Sequence, residues 1–403
     1  MMQEINLYSH KKDCCGCAAC ASACKNKAID MKEDKSGFVY PSINTKKCIG
    51  CRVCVNVCAY KKLKKENNIL ESYAAQNKNR KIAKKSASGG ISSAIAESFL
   101  KNGGMIAGCA WIKKNSKLQA EHILIDKWEE AYRLQGSKYV QSNTQMIYIK
   151  IRKELENGKK ILFTGTPCQV AAIKKFIPLQ LQEKLYTIDI ICHGVPGNRM
   201  FQDYLDFLKN KNEIIDFQFR DKTKGWGLNA SYTIKGKRRN IKTVIPNNLS
   251  SYYTYFLESE IYRESCYYCE YASYHRVGDC TIGDFWGVEE EYPQYLRKNG
   301  GLFEEKEGIS CILINSEKGK ILISDAKNIQ KYPADFERIA KWNQQLEHPA
   351  VPKNDRREKL LEIYNRNGYK ELEKIFQKDQ GWKRYGRKLK WKIINCMMRK
   401  KNE

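Results

Sequence analysis

Short apolar runs alternate with amphipathic stretches through the middle of the chain. Residues 105–112, 122–125, 160–163 and 186–192 are dominated by apolar side chains over strand-like lengths, and sequences with helical periodicity separate them. Strands that alternate with helices are typical of an α/β domain. We therefore predict an α/β domain with a mostly parallel sheet over residues 76–325.

The two ends of the chain depart from this pattern. Residues 1–75 are rich in cysteine as far as Cys58 and then polar and lysine-rich, which indicates a small α+β module followed by a linker. Residues 326–403 are predicted to form a mainly helical extension, in which residues 374–403 mix aromatic and aliphatic side chains with basic ones. We interpret this last segment as a basic helix that packs on its own domain, and docking on an anionic membrane surface is the alternative.

The cysteines of the first module repeat one spacing twice. Cys14, Cys17, Cys20 and Cys24 form a C-x2-C-x2-C-x3-C run, and the same run recurs over residues 48–58. Two such runs predict two [4Fe-4S] clusters, and in that arrangement the fourth cysteine of each run crosses to the other cluster. The predicted ligand sets are Cys14, Cys17, Cys20 and Cys58 for one cluster and Cys24, Cys48, Cys51 and Cys54 for the other.

Other uses of these cysteines fit the sequence less well. A structural zinc site normally has two C-x2-C pairs and no third cysteine at the same step. Disulfide scaffolds are short and secreted, whereas this chain has 403 residues and 17 cysteines and shows no export signal. We therefore expect a cytoplasmic protein, with attachment to the inner face of the membrane as a variant. Cys15 lies outside both runs and is interpreted as a spare thiol.

Two predicted strands of the α/β domain end at a cysteine. One leads directly into a helix whose N-cap is Thr166 and whose capping box is completed by Gln169, so that Cys168 lies in the first helical turn, where the helix dipole stabilises a thiolate. The next strand ends at Cys192 and His193, in a turn-rich loop of the kind in which α/β sheets bind ligands.

A Ser/Gly turn over residues 86–90 opens a helical pattern that runs to Leu100. Free N–H groups at such a helix start suit a phosphate, although most turns of this kind only cap the helix. No G-x-G-x-x-G motif follows a strand, so the sequence does not support an ordinary dinucleotide site.

With these motifs in this order, the chain resembles the coenzyme F420 hydrogenase/dehydrogenase beta-subunit family over residues 10 to about 325. The resemblance implies a flavoprotein that binds FAD on the α/β domain and exchanges electrons between FAD and iron–sulfur clusters, with reduced F420 as the donor in archaeal members. The resemblance does not identify the hydride donor or acceptor of this chain. The motifs that carry the likeness are the Ser/Gly turn and residues 136–142, 165–169, 192–194, 219–222, 266–269 and 283–287.

The resemblance also implies two segments that bind FAD. Lys138 fits this role on physical grounds as well, because a cation beside a pyrophosphate makes a charge-assisted contact; a surface lysine is the alternative. The implied contacts with the FAD phosphates are Ser86, Ser88, Gly89 and Gly90, and those with the flavin are Ser137, Lys138 and Tyr139.

Some of the remaining cysteines predict a third [4Fe-4S] cluster. Cys266 and Cys269 form a close pair that needs two partners, and Cys168 and Cys192 each follow a predicted strand, so parallel strands would present both at one sheet edge. Cys280 lies inside a predicted strand and is expected to be a packing residue. A rival interpretation makes Cys192 or His193 a catalytic acid or nucleophile.

The predicted function is therefore that of an FAD and iron–sulfur oxidoreductase, because a flavin takes up a hydride and a cluster carries single electrons. The partner would be a redox protein or a small-molecule hydride carrier such as F420. The alternative is a non-catalytic electron-transfer subunit that docks on a catalytic protein through its basic surface. The net charge of +27 also suits nucleic acid, but without a recognisable binding motif we expect none.

Overall fold

The computed structural model describes residues 5–61, 68–209, 212–236 and 238–382, together with residues 386, 387, 389 and 391. Within these residues the strands are β1 (Ile29–Glu33), β2 (Val39–Ile43), β3 (Glu71–Asn77), β4 (Met105–Lys114), β5 (Lys117–Ile125), β6 (Ile161–Gly165), β7 (Leu185–Ile190), β8 (Ile214–Gln218), β9 (Asn229–Ile234), β10 (Ile241–Pro246), β11 (Cys280–Asp284), β12 (Ser310–Ile314) and β13 (Ile329–Pro333). The α-helices are α1 (Ala19–Ala23), α2 (Val53–Asn56), α3 (Arg80–Lys85), α4 (Ile91–Lys101), α5 (Ile147–Glu156), α6 (Pro167–Phe176), α7 (Asn198–Lys209), α8 (Ser251–Leu257), α9 (Val288–Glu291), α10 (Glu317–Asp325), α11 (Phe336–Lys341), α12 (Arg357–Asn367) and α13 (Tyr369–Gln380).

The N-terminal module is built around a hairpin and two short helices, as the α+β prediction requires. β1 and β2 pair in antiparallel fashion, and α1 and α2 pack beside them around a small core that includes Leu7, Ile29 and Cys54. The two cysteine runs fold alike, because each helix starts after a residue in the left-handed region, Ala18 in the first run and Arg52 in the second.

An eight-stranded sheet with the order β13-β3-β12-β11-β7-β6-β4-β5 forms the centre of the rest of the chain. The four strands predicted from apolar runs are present as β4, β5, β6 and β7. Only the central block β11-β7-β6-β4 is parallel, so the prediction of a mostly parallel sheet is wrong and the sheet is mixed. One reason is the tight turn at Asn115 and Ser116, both with positive φ, which joins β4 and β5 as an antiparallel hairpin.

The sheet extends beyond both ends of the range predicted for the α/β domain. β3 lies between β13 and β12, so the division expected near residue 75 falls inside a strand. The polar side chains that suggested a linker there are buried and hydrogen-bonded: Gln76 Nε2 donates to the carbonyls of Glu304 and Gly308, and Asn77 Nδ2 donates to that of Gly90. Polar residues thus occupy a central strand end because their partners come from distant loops.

A second, antiparallel sheet of β8, β9 and β10 packs with helices α7, α8, α12 and α13 around an aromatic core. Tyr204, Tyr252 and Tyr369 are fully or almost fully buried there, and the rings of Tyr204 and Tyr252 stack 5.3 Å apart. The C-terminal region is helical through α13. Most of the segment predicted as a basic helix, from residue 383 onward, lies outside the described residues. In the part of the chain that the structure describes, no helix is long and apolar enough to cross a membrane.

Candidate functional site

The carboxyl ends of three neighbouring strands carry the candidate chemistry. β6, β7 and β11 run parallel, and their ends lead to Cys168, to Cys192 and to Asp284. Loops at this edge of an α/β sheet are the usual place for ligands, because the strands deliver their following residues to one side. The Thr166 backbone N–H donates to Gln169 Oε1 at 3.1 Å at the start of α6, which confirms the predicted capping box and fixes Cys168 in the first helical turn.

One cavity at this edge brings together the four cysteines proposed for a third cluster. We call it the thiol cavity. Burial, together with the neighbouring thiolates, raises the pKa of Cys266 to about 12 and that of Cys269 to about 11. Its walls come from both modules, since Cys15 and Tyr60 belong to the N-terminal one. Its sulfur-bearing residues are Cys15, Cys168, Cys192, Cys266 and Cys269.

Cys15 is the member of this cavity that the spacing rules missed. It is buried, and its thiol interacts with the thiols of Cys168 and Cys17. These interactions lower the pKa of the Cys17 and Cys168 thiols, that of Cys168 to about 7. Cys15 therefore bridges the first cysteine run and the thiol cavity. Its signal in the sequence is only a doubled cysteine at the start of the run, which by itself predicts no contact.

The electrostatic contacts of the ferredoxin cysteines divide them into two groups. Negative charge on Cys14 and Cys58 raises the pKa of the Cys20 thiol. Negative charge on Cys24 and Cys51 raises that of the Cys54 thiol. We call the group next to the thiol cavity the proximal set and the other group the distal set. Cys48 joins the distal set by its position in the run. The proximal set is Cys14, Cys17, Cys20 and Cys58, and the distal set is Cys24, Cys48, Cys51 and Cys54.

A fully buried arginine lies between the proximal set and the thiol cavity. The Arg263 guanidinium donates to the Cys14 carbonyl at 2.8 Å, to the Val39 carbonyl at 2.7 Å and to Gln141 Oε1 at 2.9 Å. Its charge has no carboxylate partner among the described residues, and the nearby groups able to carry negative charge include Cys14 and Cys266.

This arrangement of thiols and charge fits iron–sulfur clusters. Burial alone opposes ionisation of the thiols, whereas coordination to iron removes the thiol proton outright. Anionic clusters on either side would also provide the negative charge that a buried guanidinium needs. No three of the described His, Cys, Asp and Glu residues surround a point suited to a single metal ion. A cubane binds its four ligands through four different irons.

The Ser/Gly turn lies against the sheet and starts α4 as predicted. Gly90 is the N-cap with φ of 82°, and the first helical bond runs from the Ala94 N–H to the Gly90 carbonyl, so the amides of the first turn point out of the helix end. A Cβ on Gly89 would meet the Ala75 carbonyl oxygen at 2.7 Å. Ser86 Oγ donates to the Ile82 carbonyl at the end of α3, and Ser88 Oγ donates to that of Ile309.

The second proposed flavin segment, which includes residues 137–139, is hydrogen-bonded to α4 and to Arg220. Gln135 Nε2 donates to Ser93 Oγ at 3.3 Å, and Arg220 Nη1 donates to the Tyr139 hydroxyl at 3.3 Å. Ser137 is partly buried. Lys138 differs from expectation, because its ammonium donates to three backbone carbonyls of its own segment. Its hydrogen-bonding capacity is thus used to hold the turn that presents Tyr139.

A charged and aromatic network, not assigned from sequence, joins these segments. Arg220 makes a two-bond ion pair with Asp284, and Trp226 donates to the same carboxylate at 2.9 Å. Lys222 Nζ donates to the Ser88 carbonyl at 2.6 Å, while Trp226 and Trp286 stack with ring centres 4.7 Å apart. Residues 219–222 and 283–287 contributed to the family likeness, but only the fold shows that their charges meet.

His193 lies between this network and the thiol cavity, whose wall it shares with Cys192. Burial lowers the pKa of His193, and the Asp284 carboxylate opposes that shift. Burial also raises the pKa of Cys192 well above the usual thiol range, and the neighbouring cysteines add to this effect. A free Cys192 thiol would therefore stay protonated, which makes it a weak nucleophile.

Comparisons with known proteins agree with the motifs. The model for the N-terminal part of the coenzyme F420 hydrogenase/dehydrogenase beta subunit matches residues 72–148, and the model for its C-terminal part matches residues 158–335. A 4Fe-4S dicluster domain matches residues 13–62.

Among solved structures, a chain of the F420-reducing [NiFe] hydrogenase complex from Methanosarcina barkeri is 16% identical, with a TM-score of 0.47. That alignment covers 74% of this chain and 94% of the other. Among curated proteins, none matches. The matches to the family models and the order of the motifs establish that this chain belongs to the coenzyme F420 hydrogenase/dehydrogenase beta-subunit family and carries a 4Fe-4S dicluster domain before the family domain.

Proposed function

We propose that the chain is an iron–sulfur flavoprotein oxidoreductase that passes electrons between a hydride carrier, FAD and three [4Fe-4S] clusters. The observation that carries the proposal is the thiol cavity, which lies between the sheet edge and the proximal set and has the buried Arg263 cation beside it. The hydride carrier is F420-like or an organic substrate. The proposed location is the cytoplasm, because a reducing compartment keeps cysteines available as cluster ligands.

We infer that the proposed cofactor sites form a series. The network of Arg220 and Asp284 adjoins His193, which lines the thiol cavity. Cys15 then links the thiol cavity to Cys17 of the proximal set. The distal set completes the series. This order matches the task of turning hydride transfer into single-electron transfer, because each step joins direct neighbours.

FAD, when bound, would supply the exchange between a hydride and single electrons. The chain's own residues would bind and orient it. The open end of α4 suits a phosphate. Lys222 Nζ donates to the carbonyls of Ala83, Ser88 and Glu307 and so holds the Ser/Gly turn in place. Arg220 holds Tyr139 and Asp284 in fixed positions beside the stacked pair Trp226 and Trp286.

The alternative role is a non-catalytic electron-transfer subunit of a larger assembly. The excess of basic residues, 72 Lys and Arg against 45 Asp and Glu, favours docking on an acidic protein. Turnover of a hydride carrier by the purified chain alone, with a small artificial electron acceptor, would exclude a purely passive role. Activity that needs a co-purified partner would favour the subunit role.

Serine variants of single cysteines test the third cluster. Cys168→Ser and Cys192→Ser should each lose about four irons, since a cubane that loses one thiolate ligand is unstable. Cys280→Ser is the matched control, because Cys280 is fully buried in β11 and outside the thiol cavity, and it should keep all its iron. Iron would be measured chemically after anaerobic purification. Full iron with lost turnover in Cys192→Ser would instead support the catalytic role of this residue.

Cys15→Ser separates the bridging thiol from the ligands. We expect this variant to keep all its iron, because four other cysteines of the thiol cavity remain to hold a cubane. A loss of about four irons would show that Cys15 is a ligand of the third cluster in place of one of the four proposed cysteines.

A pair of glycine variants tests the FAD phosphate site. Gly90→Ala and Gly103→Ala both place a side chain at positive φ, 82° and 78°, so both bear similar backbone strain. A Cβ on Gly90 would contact Asn77, Ala83 and Ser86 at 3.2–3.3 Å, whereas one on Gly103 meets nothing within 4 Å. We expect FAD content to fall at least twofold in Gly90→Ala alone. Equal flavin content in the two variants would show that the FAD phosphates do not bind at the turn that contains Gly90.

Arg263→Met tests whether the buried guanidinium joins the two modules. It leaves three acceptors without a donor at a buried site, each at a cost of about 1–3 kcal/mol. We expect a lower thermal unfolding midpoint and loss of iron from the proximal set. Arg199→Met is the control, because Arg199 also donates to the N-terminal module, at Asp34 and Lys35, but is 41% exposed and water can replace it. Equal effects of both substitutions would refute the special role of Arg263.

A further inference from the structure

The distal set lies beneath an exposed surface that we call the distal face. It comprises residues 24–27 and 44–53, which contact each other through a hydrogen bond from Asn26 Nδ2 to the Lys47 carbonyl. At its centre Cys51 is exposed, and the side chains of Ile49 and Val53 are 60% and 43% exposed. Two apolar side chains thus flank a cluster ligand at the surface.

Basic residues surround this apolar centre. None of the charged side chains of the distal face pairs with a carboxylate among the described residues, and residues 35–65 contain no Asp or Glu at all. An unbalanced positive rim attracts acidic partners over about a Debye length and orients them before contact. The exposed cations of the rim are Lys25, Lys27, Lys46, Lys47 and Arg52.

The two ferredoxin sets differ in what they face. The proximal set adjoins the thiol cavity through Cys15 and Cys17, and the Arg263 side chain covers it at Cys14. The distal set includes Cys51, which is the one exposed cysteine among the described residues, whereas the four proximal cysteines are partly exposed. Of the proposed cofactor sites, the distal set is therefore the one that a second protein can approach closely.

We propose that the distal face docks a small acidic iron–sulfur protein of the ferredoxin class, which exchanges electrons with the distal cluster. One electron leaves the reduced carrier and one enters the distal cluster, or the reverse, and no bond or proton is transferred. The inference rests on the proposed function, because it requires a cluster at the distal set. An apolar centre within a charged rim is the common form of a protein interface.

Charge reversal on the distal face tests this proposal. The variant combines Lys25→Glu, Lys46→Glu and Lys47→Glu, and it leaves Lys27 and Arg52, which have positive φ values of 49° and 58°, unchanged. The probe is a reduced acidic bacterial ferredoxin, mixed anaerobically with the oxidised protein in a stopped-flow spectrometer. We expect the second-order rate to fall about tenfold at low ionic strength, and the difference to shrink near 1 M salt, where the Debye length is about 3 Å.

The matched control reverses three exposed lysines on other elements, Lys117, Lys359 and Lys370, and should leave the ferredoxin rate within about twofold of the unmodified protein. A second variant, Ile49→Ser with Val53→Ser, keeps the rim charge and should slow the reaction at every salt concentration. Iron content is measured for each protein, so that loss of the distal cluster is not mistaken for loss of docking.

Three results would overturn the proposal. The first is an equal slowing by both charge reversals, and the second is a ferredoxin rate that is slow and independent of salt in the unmodified protein. The third is binding of the unmodified protein to phosphatidylserine vesicles, abolished by reversal of the distal face, without reaction with ferredoxin; that result would assign the face to a membrane. Absence of iron from the distal set would instead refute the proposed function itself.

Discussion

The buried guanidinium of Arg263 is the interaction on which the arrangement of the two modules depends. A cation removed from water is costly unless hydrogen bonds and opposite charge replace its hydration. Arg263 obtains its acceptors from both sides: Cys14 and Val39 lie in the N-terminal module, while Gln141 lies in the α/β domain. Gln141 in turn donates to the carbonyls of Cys15 and Gly16. The ligand loop is thereby held against the sheet edge.

This contact determines where the thiols lie. With the ligand loop fixed, Cys15 reaches Cys168 at the start of α6, and the thiol cavity is completed from two modules that are far apart in sequence. Gly16 is required at the joint, because a Cβ there would lie 2.5 Å from Gln141 Nε2. The proposed path from the sheet edge to the distal set therefore rests on packing between modules rather than on either module alone.

Features set by local spacing could be predicted from the sequence, and features set by tertiary contacts could not. The cysteine runs, the capping box at Thr166 and the strands of the parallel block follow from short-range patterns. β3 was missed because its buried polar end is satisfied by loops more than two hundred residues away. Lys138 was expected at a phosphate, yet its own segment supplies its acceptors. Arg263 and the pair of Arg220 with Asp284 carry no spacing signal, since their partners meet only in the fold.

The central claim is that the thiol cavity holds a cluster in addition to the two of the dicluster domain. The most direct measurement is the iron, sulfide and zinc content of the unmodified, anaerobically purified protein, combined with Mössbauer spectroscopy of the iron. The account predicts about twelve irons and twelve sulfides per chain, all in [4Fe-4S] clusters. About eight irons per chain with an intact dicluster domain, or zinc as the dominant metal, would contradict it.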